Sequence, residues 1–300
     1  MLLRRAQNAF FSSFSRLPAQ PRMRILSGGC GLFGDVFMAL NGLRFAEQRS
    51  LPCCVDWDAR SLYFDAPRGA NAWEYFFQRS CFGPQTRIRA SLPYRPGADD
   101  FEPYKGLSVR RSVHAALERY ALPRQEILDD VDAFIAGHFP PADVIGVHVR
   151  LTDAARGLEQ RKVVSPARFI EEATAEIERR PGANIFLAAD DERVVSLFSE
   201  CFGDRLIVQA CTRSTDGVSL HGHYDKGSDV RPYLKGREVM IDALLLARCT
   251  HLIRSHSRVT CYSLCVNPSL TYTDLDQMHL GVNRTPWLHE TAAGSDGPAS

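Results

Sequence analysis

Short apolar runs alternate with amphipathic stretches along most of the chain. Runs at 23–27, 51–57, 144–149, 184–189, 205–209, 251–254 and 270–273 have strand length and composition. Between them the apolar positions recur at helical spacing. One helix starts at Asp35, with Val36, Leu40, Leu43 and Phe45 among its core positions; others cover 112–120, 124–139, 167–180, 192–201, 236–247 and 260–266. Ser165-Pro166 is a capping residue followed by Pro at the first helical position, and Pro181-Gly182 stops the same helix. Strands alternating with helices predict an α/β fold of parallel sheets with right-handed crossovers. Pro140-Pro141 punctuates the alternation. The expected organisation is two Rossmann-like domains, 23–140 and 141–288, whose parallel sheets face across a cleft. They are flanked by a disordered extension at 1–22 and a disordered polar tail at 289–300. The aromatic, turn-rich stretch 61–103 has no clear period. The polar stretch 211–235, with His221, His223 and Tyr224, is longer than a connection needs, which marks it as functional or mobile.

Composition changes this picture only at its margins. The 300 residues are 45% hydrophobic and 24% charged, ordinary for a globular chain. A net charge of +1 gives no electrostatic reason for nucleic acid or an anionic membrane as partner. No stretch reaches the length of a membrane span. The nine cysteines are scattered without metal-type spacing and read as reduced thiols of a cytoplasmic compartment. An organellar location is the alternative, because Arg4, Arg5, Arg16, Arg22 and Arg24 all precede the first acidic residue, Asp35.

Candidate chemistry gathers where strands end. The run VIGVHVRLTD delivers His148, Arg150 and Asp153 beyond the carboxyl end of a buried strand, where parallel sheets bind their ligands. A guanidinium there suits a phosphate, although Arg150 and Asp153 could simply pair with each other. Gly29-Cys30-Gly31-Leu32-Phe33-Gly34 satisfies G-x-G-x-x-G between strand and helix, with Asp56 ending the next strand. This supports an NAD(P)- or FAD-dependent oxidoreductase; the alternatives are a packing turn or a cradle for another nucleotide's phosphates. Asp190-Asp191 reads as a helix cap with a first-turn acid, and as a poor metal pair. Asp242 shares an apolar helix face with Leu245, Leu246 and Cys249, so it needs a donor. A guanine edge would offer two parallel N–H groups; Arg237 or Arg254 would be the structural answer. Ser255, His256 and Ser257 lie at a strand-to-helix turn fit for a phosphate, or for capping alone.

Four of these segments, in order, resemble one family. They are Gly31-Leu32-Phe33-Gly34-Asp35 with the following LRFAEQRSLPCCVDWDARSLYFD, then HVRLTD, FLAADD, and REVMIDALLLARCTHLIRSHS. The family is the metal-independent, GDP-fucose-using fucosyltransferases: nodulation-type and N-glycan-core α-1,6-fucosyltransferases and, more distantly, protein O-fucosyltransferases. The resemblance implies a GT-B fold, an inverting transfer from GDP-fucose to an oligosaccharide or glycoconjugate hydroxyl, and no metal or other cofactor. It implies donor contacts from Arg150 on the β-phosphate, from His148 and Asp242 near the guanine, and from Ser255, His256 and Ser257 on the phosphates. Asp190 and Asp191 fall in its second motif, also on the donor side, and the Gly31–Gly34 loop would close from the other domain. Glu159 matches the family's catalytic base if one residue is inserted, with Asp153 as the substitute. The departures are Leu151 for a second Arg and Ala154 for a Lys, which leave a non-catalytic nucleotide-sugar binder as a further alternative.

Overall fold

The computed structural model describes residues 22–83, 91–94, 107–152, 164–217 and 231–275. The expected terminal extension and tail, Asp153, Glu159, His221, His223 and Tyr224 lie outside the described residues. Among the described residues, contacts separate two units. The first holds 22–83, 91–94, 115–125 and 231–236; the second holds 107–114, 126–152, 164–217 and 237–275. The α/β expectation holds in both.

In the first unit, β1 (Arg22–Leu26) pairs in parallel with β2 (Cys53–Asp56) on one side and β4 (Ser91–Tyr94) on the other; β3 (Cys81–Phe82) runs antiparallel beside β2. Helix α1 (Leu32–Gln48) crosses from β1 to β2 and begins three residues before Asp35. Val36, Leu40 and Leu43 are buried as their spacing requires, whereas Phe45 is half-buried under the guanidinium of Arg49, 3.7 Å from the ring centre. The stretch without a clear period is aromatic core. Trp57 and Trp73 meet edge to face at 5.0 Å, Trp73 and Phe77 lie 4.2 Å apart, and Phe76 stacks on Tyr233 at 5.8 Å. These rings are buried, so they stabilise the unit by packing and offer no open face to a sugar. One pair of cysteines corrects the expectation of reduced thiols. Cys54 and Cys81 sit directly opposite each other across β2 and β3 and form a disulfide. Their 27-residue separation carried no signal, because the strand that brings them together is only two residues long.

The second unit is a five-stranded, all-parallel sheet in the order β7-β6-β5-β8-β9, where β5 is Val144–Val149, β6 Asn184–Ala189, β7 Leu206–Val208, β8 His251–Arg254 and β9 Thr271–Asp274. Every residue of β5 is buried, as a central strand covered on both faces should be. Its core joins Ile145, Val147 and Val149 to Ile185, Leu187, Phe169, Phe198 and Ile253. The crossovers are α4 (Pro166–Arg179), capped by Ser165, and α5 (Glu192–Phe202), capped by Asp191. They are followed by α6 (Pro232–Ala247), which starts four residues before the expected 236, and α7 (Arg258–Val266). Helices α2 (Leu107–Tyr120) and α3 (Gln125–His138) precede β5. The chain builds outward from β5 through β6 to β7, then α6 carries it back to β8 on the other side of β5. That reversal puts a topological switch point between β5 and β8.

Candidate functional site

Open α/β sheets bind ligands at the carboxyl ends of the two strands flanking a switch point. Here those ends are His148–Thr152 after β5 and Arg254–Ser257 after β8, both in the second unit. His148 is buried and in register with Arg254, and Arg150 follows half-buried. The turn after Arg150 is held from the neighbouring strand. The Asp190 carboxylate accepts from the Leu151 N–H at 2.9 Å, the Thr152 N–H at 3.2 Å and the Thr152 hydroxyl at 2.7 Å. Leu151 packs against the hydrophobic core. Asp190 is therefore a brace for the segment that carries Arg150.

Its neighbour does something else. Asp191 caps α5, accepting at 2.9 Å from both the backbone N–H and the Nε–H of Arg193. Those bonds hold its carboxyl below the usual range. The expected cap and first-turn acid thus resolve into one cap and one brace, and each carboxylate already has protein donors.

At the end of β8, Arg254 is fully buried and faces Asp274 at 3.6 Å, while Arg237 pairs with Asp130. Both arginines considered as partners for Asp242 are thereby engaged elsewhere. Ser257 caps α7, accepting from the Val259 N–H at 3.2 Å, and the Thr260 hydroxyl donates to the Ser257 carbonyl at 3.0 Å. Capping describes Ser257; Ser255 and His256, half-buried before it, stand at the positive end of the helix.

Asp242 differs from Asp190 and Asp191. It is 9% exposed, on α6, and its Oδ1 has no hydrogen-bond partner among the described residues. Burial pushes its carboxyl up to about 7; the positive charge of Arg213 acts against that shift and Glu238 adds to it. Glu238 in turn accepts from the Thr212 N–H at 3.1 Å. Arg213 is the residue that sequence reasoning missed. Its side chain is 7% exposed, its Nη2 donates to the Gln209 carbonyl at 2.6 Å, and its buried Nε–H has no acceptor among the described residues. The only hint was its position in the long polar stretch after β7. Among the described residues this leaves an open acceptor and an open donor, both buried.

The glycine-rich loop of the first unit is built differently. The buried Asp35 carboxylate, in the first turn of α1, accepts from the Gly28 and Cys30 N–H groups, each at 3.1 Å, and from the Ser27 hydroxyl. The Gly29 N–H donates to Ser27 Oγ at 3.2 Å and the Leu32 N–H to Tyr63 Oη at 2.9 Å. Donors that would cradle a pyrophosphate already serve a carboxylate and two hydroxyls. Asp56, the acid expected on a ribose, binds Arg24 Nε at 2.6 Å. Gly31 is required by its φ of 80° before the helix, and a Cβ on Gly34 would lie 2.8 Å from Cys30 Cβ. The packing-turn reading accounts for the fingerprint, and the backbone donors of Gly28, Gly29, Cys30 and Leu32 are already taken.

No protein-family model and no curated protein matches the chain. Its fold has solved counterparts. A NodZ fucosyltransferase from Bradyrhizobium is 18% identical, covering 86% of this chain and 97% of its own, with a TM-score of 0.51. NodZ α-1,6-fucosyltransferase co-crystallised with GDP is 17% identical over 86% and 96%, with a TM-score of 0.52. A mutant of Arabidopsis thaliana FUT1 in complex with GDP is 10% identical over 90% of this chain and 74% of that one, with a TM-score of 0.51. At these identities the likeness is one of fold. None of the described helices is long and apolar enough to cross a membrane.

Proposed function

We propose that this chain is an inverting fucosyltransferase of GT-B type, transferring fucose from GDP-fucose to a hydroxyl of a glycan or glycoconjugate, α-1,6-like in its resemblance. The observation that carries the reading is the open, buried Oδ1 of Asp242 in the unit whose switch point also presents Arg150. A carboxylate accepts the parallel N1–H and N2–H of guanine, with His148 beside the base. The diphosphate then lies against Arg150 and the Ser255–Ser257 turn, where the α7 terminus adds its partial positive charge.

Transfer is a single displacement. The acceptor oxygen attacks C1 of the sugar from the face opposite the nucleotide, the C1–O bond to the β-phosphate breaks, and GDP leaves with the electron pair. Charge growing on the β-phosphate is met by Arg150, which enters the turn that the Asp190 brace holds. The acceptor proton passes to Glu159, or to Asp153 in its place. In this scheme a guanidinium supplies the charge stabilisation that a divalent ion provides in other transferases, so activity persists in excess EDTA.

The solved counterparts that hold GDP support the donor class. Fucose transfer from GDP-fucose to chitin-type oligosaccharides, polysaccharide cores and protein acceptors, with GDP release followed in parallel, tests the reading. Transfer from UDP-sugars in place of GDP-fucose contradicts the donor assignment. The core packing of Leu151, where the resemblance has an arginine, favours a non-catalytic donor-binding protein as the second reading. GDP-fucose binding with neither transfer nor GDP release would select it.

A further inference from the structure

We infer that Arg213 determines base specificity at this pocket, supplying the positive charge that lets Asp242 act as a carboxylate acceptor and a buried N–H for an acceptor atom of the base. This rests on the donor site proposed above, and it assigns a role to a residue outside the motifs that suggested that site.

The argument starts from two buried polar atoms left open. Arg213 is anchored through Nη2 on the Gln209 carbonyl at 2.6 Å, and its Nη1 lies 3.6 Å from Glu192 Oε2, too long for a hydrogen bond. Among the described residues, Nε is buried with no acceptor and Asp242 Oδ1 is buried with no donor. Leaving either group unsatisfied costs about 1–3 kcal/mol, and the Thr212 N–H bond to Glu238, one turn before Asp242, brings the segment carrying Arg213 against that helix. Guanine presents two donors beside an acceptor on its Watson–Crick edge and a further acceptor at N7, which matches a carboxylate flanked by a guanidinium. Adenine presents an N1 acceptor beside an amino donor. An ionised carboxylate repels that N1 lone pair, whereas a protonated one would donate to it and accept from the amino group. The charge state of Asp242 thus chooses between the purines.

The groups acting on that charge state are few. Glu238, on the same helix, opposes ionisation, and Arg213, from the loop after β7, favours it. Cys211 lies in the same field, its thiol pushed up to about 12 by burial and by Asp242, with Glu192 acting on it as well. Arg213 is the only cation acting on Asp242 among the described residues.

The test is the ratio of GDP to ADP affinity, measured by calorimetry from pH 5.5 to 9, in which titration of the phosphates cancels. In the wild type the ratio should favour GDP and rise with pH as Asp242 ionises. Arg213→Gln, which removes both the charge and the N–H, should lower the ratio at pH 7 by about tenfold. Arg213→Lys, which keeps the charge, should retain the wild-type pH profile with weaker GDP binding. If the Gln variant does not fold, a Lys variant whose profile is displaced like that expected for loss of charge overturns the inference. A Gln variant whose GDP to ADP ratio matches the wild type at every pH also overturns it. Wild-type protein that fails to bind GDP removes the donor site itself and the inference with it.

Discussion

Asp35 and Asp242 invite comparison, because each is a buried acid on a helix that crosses between parallel strands. Burial pushes both carboxyls upward. Around Asp35 the chain answers that cost with two backbone N–H groups and a hydroxyl. Around Asp242 it leaves an oxygen open, with one arginine near enough to act on it. The glycine-rich loop advertises a ligand in sequence and is complete without one. The α6 site advertises itself only by a carboxylate in an apolar stripe, and among the described residues one of its oxygens is left open. In the function proposed here, unmet hydrogen-bonding capacity rather than glycine spacing marks the donor site.

The largest effect should come from removing the satisfied acid. Asp35→Ala strands the buried Ser27 hydroxyl and takes a carboxylate acceptor from the part-buried Gly28 and Cys30 N–H groups, so unfolding by urea should show a loss of about 3 kcal/mol. A variant as stable as wild type would mean the loop does not depend on its carboxylate, and the contrast with Asp242 would collapse.

Asp242→Asn should behave in the opposite way. GDP binding should weaken by about 2 kcal/mol, because one acceptor oxygen becomes a donor facing a donor. Stability without ligand should hold or rise at pH 8. The folded carboxyl titrates at about 7, above its ordinary value near 3.9. Its contribution to stability is therefore present in full below about 3.9 and lost as pH rises through about 7. Urea midpoints at pH 5 and 8 should differ less in the Asn variant than in wild type. Unchanged GDP affinity would make Asp242 structural after all.

Arg150→Lys keeps charge but loses the fork, and turnover with GDP-fucose should fall at least about tenfold. Near-normal turnover would take Arg150 out of the mechanism. The smallest effect belongs to Asp191→Ala, which removes a helix cap. It should cost about 1 kcal/mol of stability and leave GDP affinity within about twofold. A large loss of affinity would mean that Asp191 touches the donor and is more than a cap.

The fold was legible where local pattern and tertiary environment agree. β5 reads as a doubly covered strand from Val144, Ile145, Val147 and Val149, and the Ser165-Pro166 cap and the α5 cap at Asp191 lie where sequence puts them. Boundaries moved where the terminal turn has no local marker. α1 begins after Gly31, with backbone geometry in place of a capping side chain, and α6 begins at Pro232 inside a polar run. The site was legible in part. His148, Arg150 and Asp242 announce themselves by strand position or by polarity in an apolar stripe. Asp190 as a brace was not legible, because its partners Leu151 and Thr152 are on another strand's exit, 39 and 38 residues away. Arg213 was invisible for a similar reason. An arginine in a polar loop is unremarkable until the fold buries it near a carboxylate 29 positions further on, and no periodicity encodes that. The Cys54–Cys81 bond likewise depends on an antiparallel edge strand too short to show a pattern.

The most direct test of the contrast between the two loops is amide hydrogen exchange with and without saturating GDP. The account predicts slowed exchange at 209–217 and 237–247, together with the segments following β5 and β8, as the base closes onto Asp242 and Arg213. Protection confined to 27–34, with exchange around Asp242 and Arg213 unchanged, would place the nucleotide at the glycine-rich loop and contradict it.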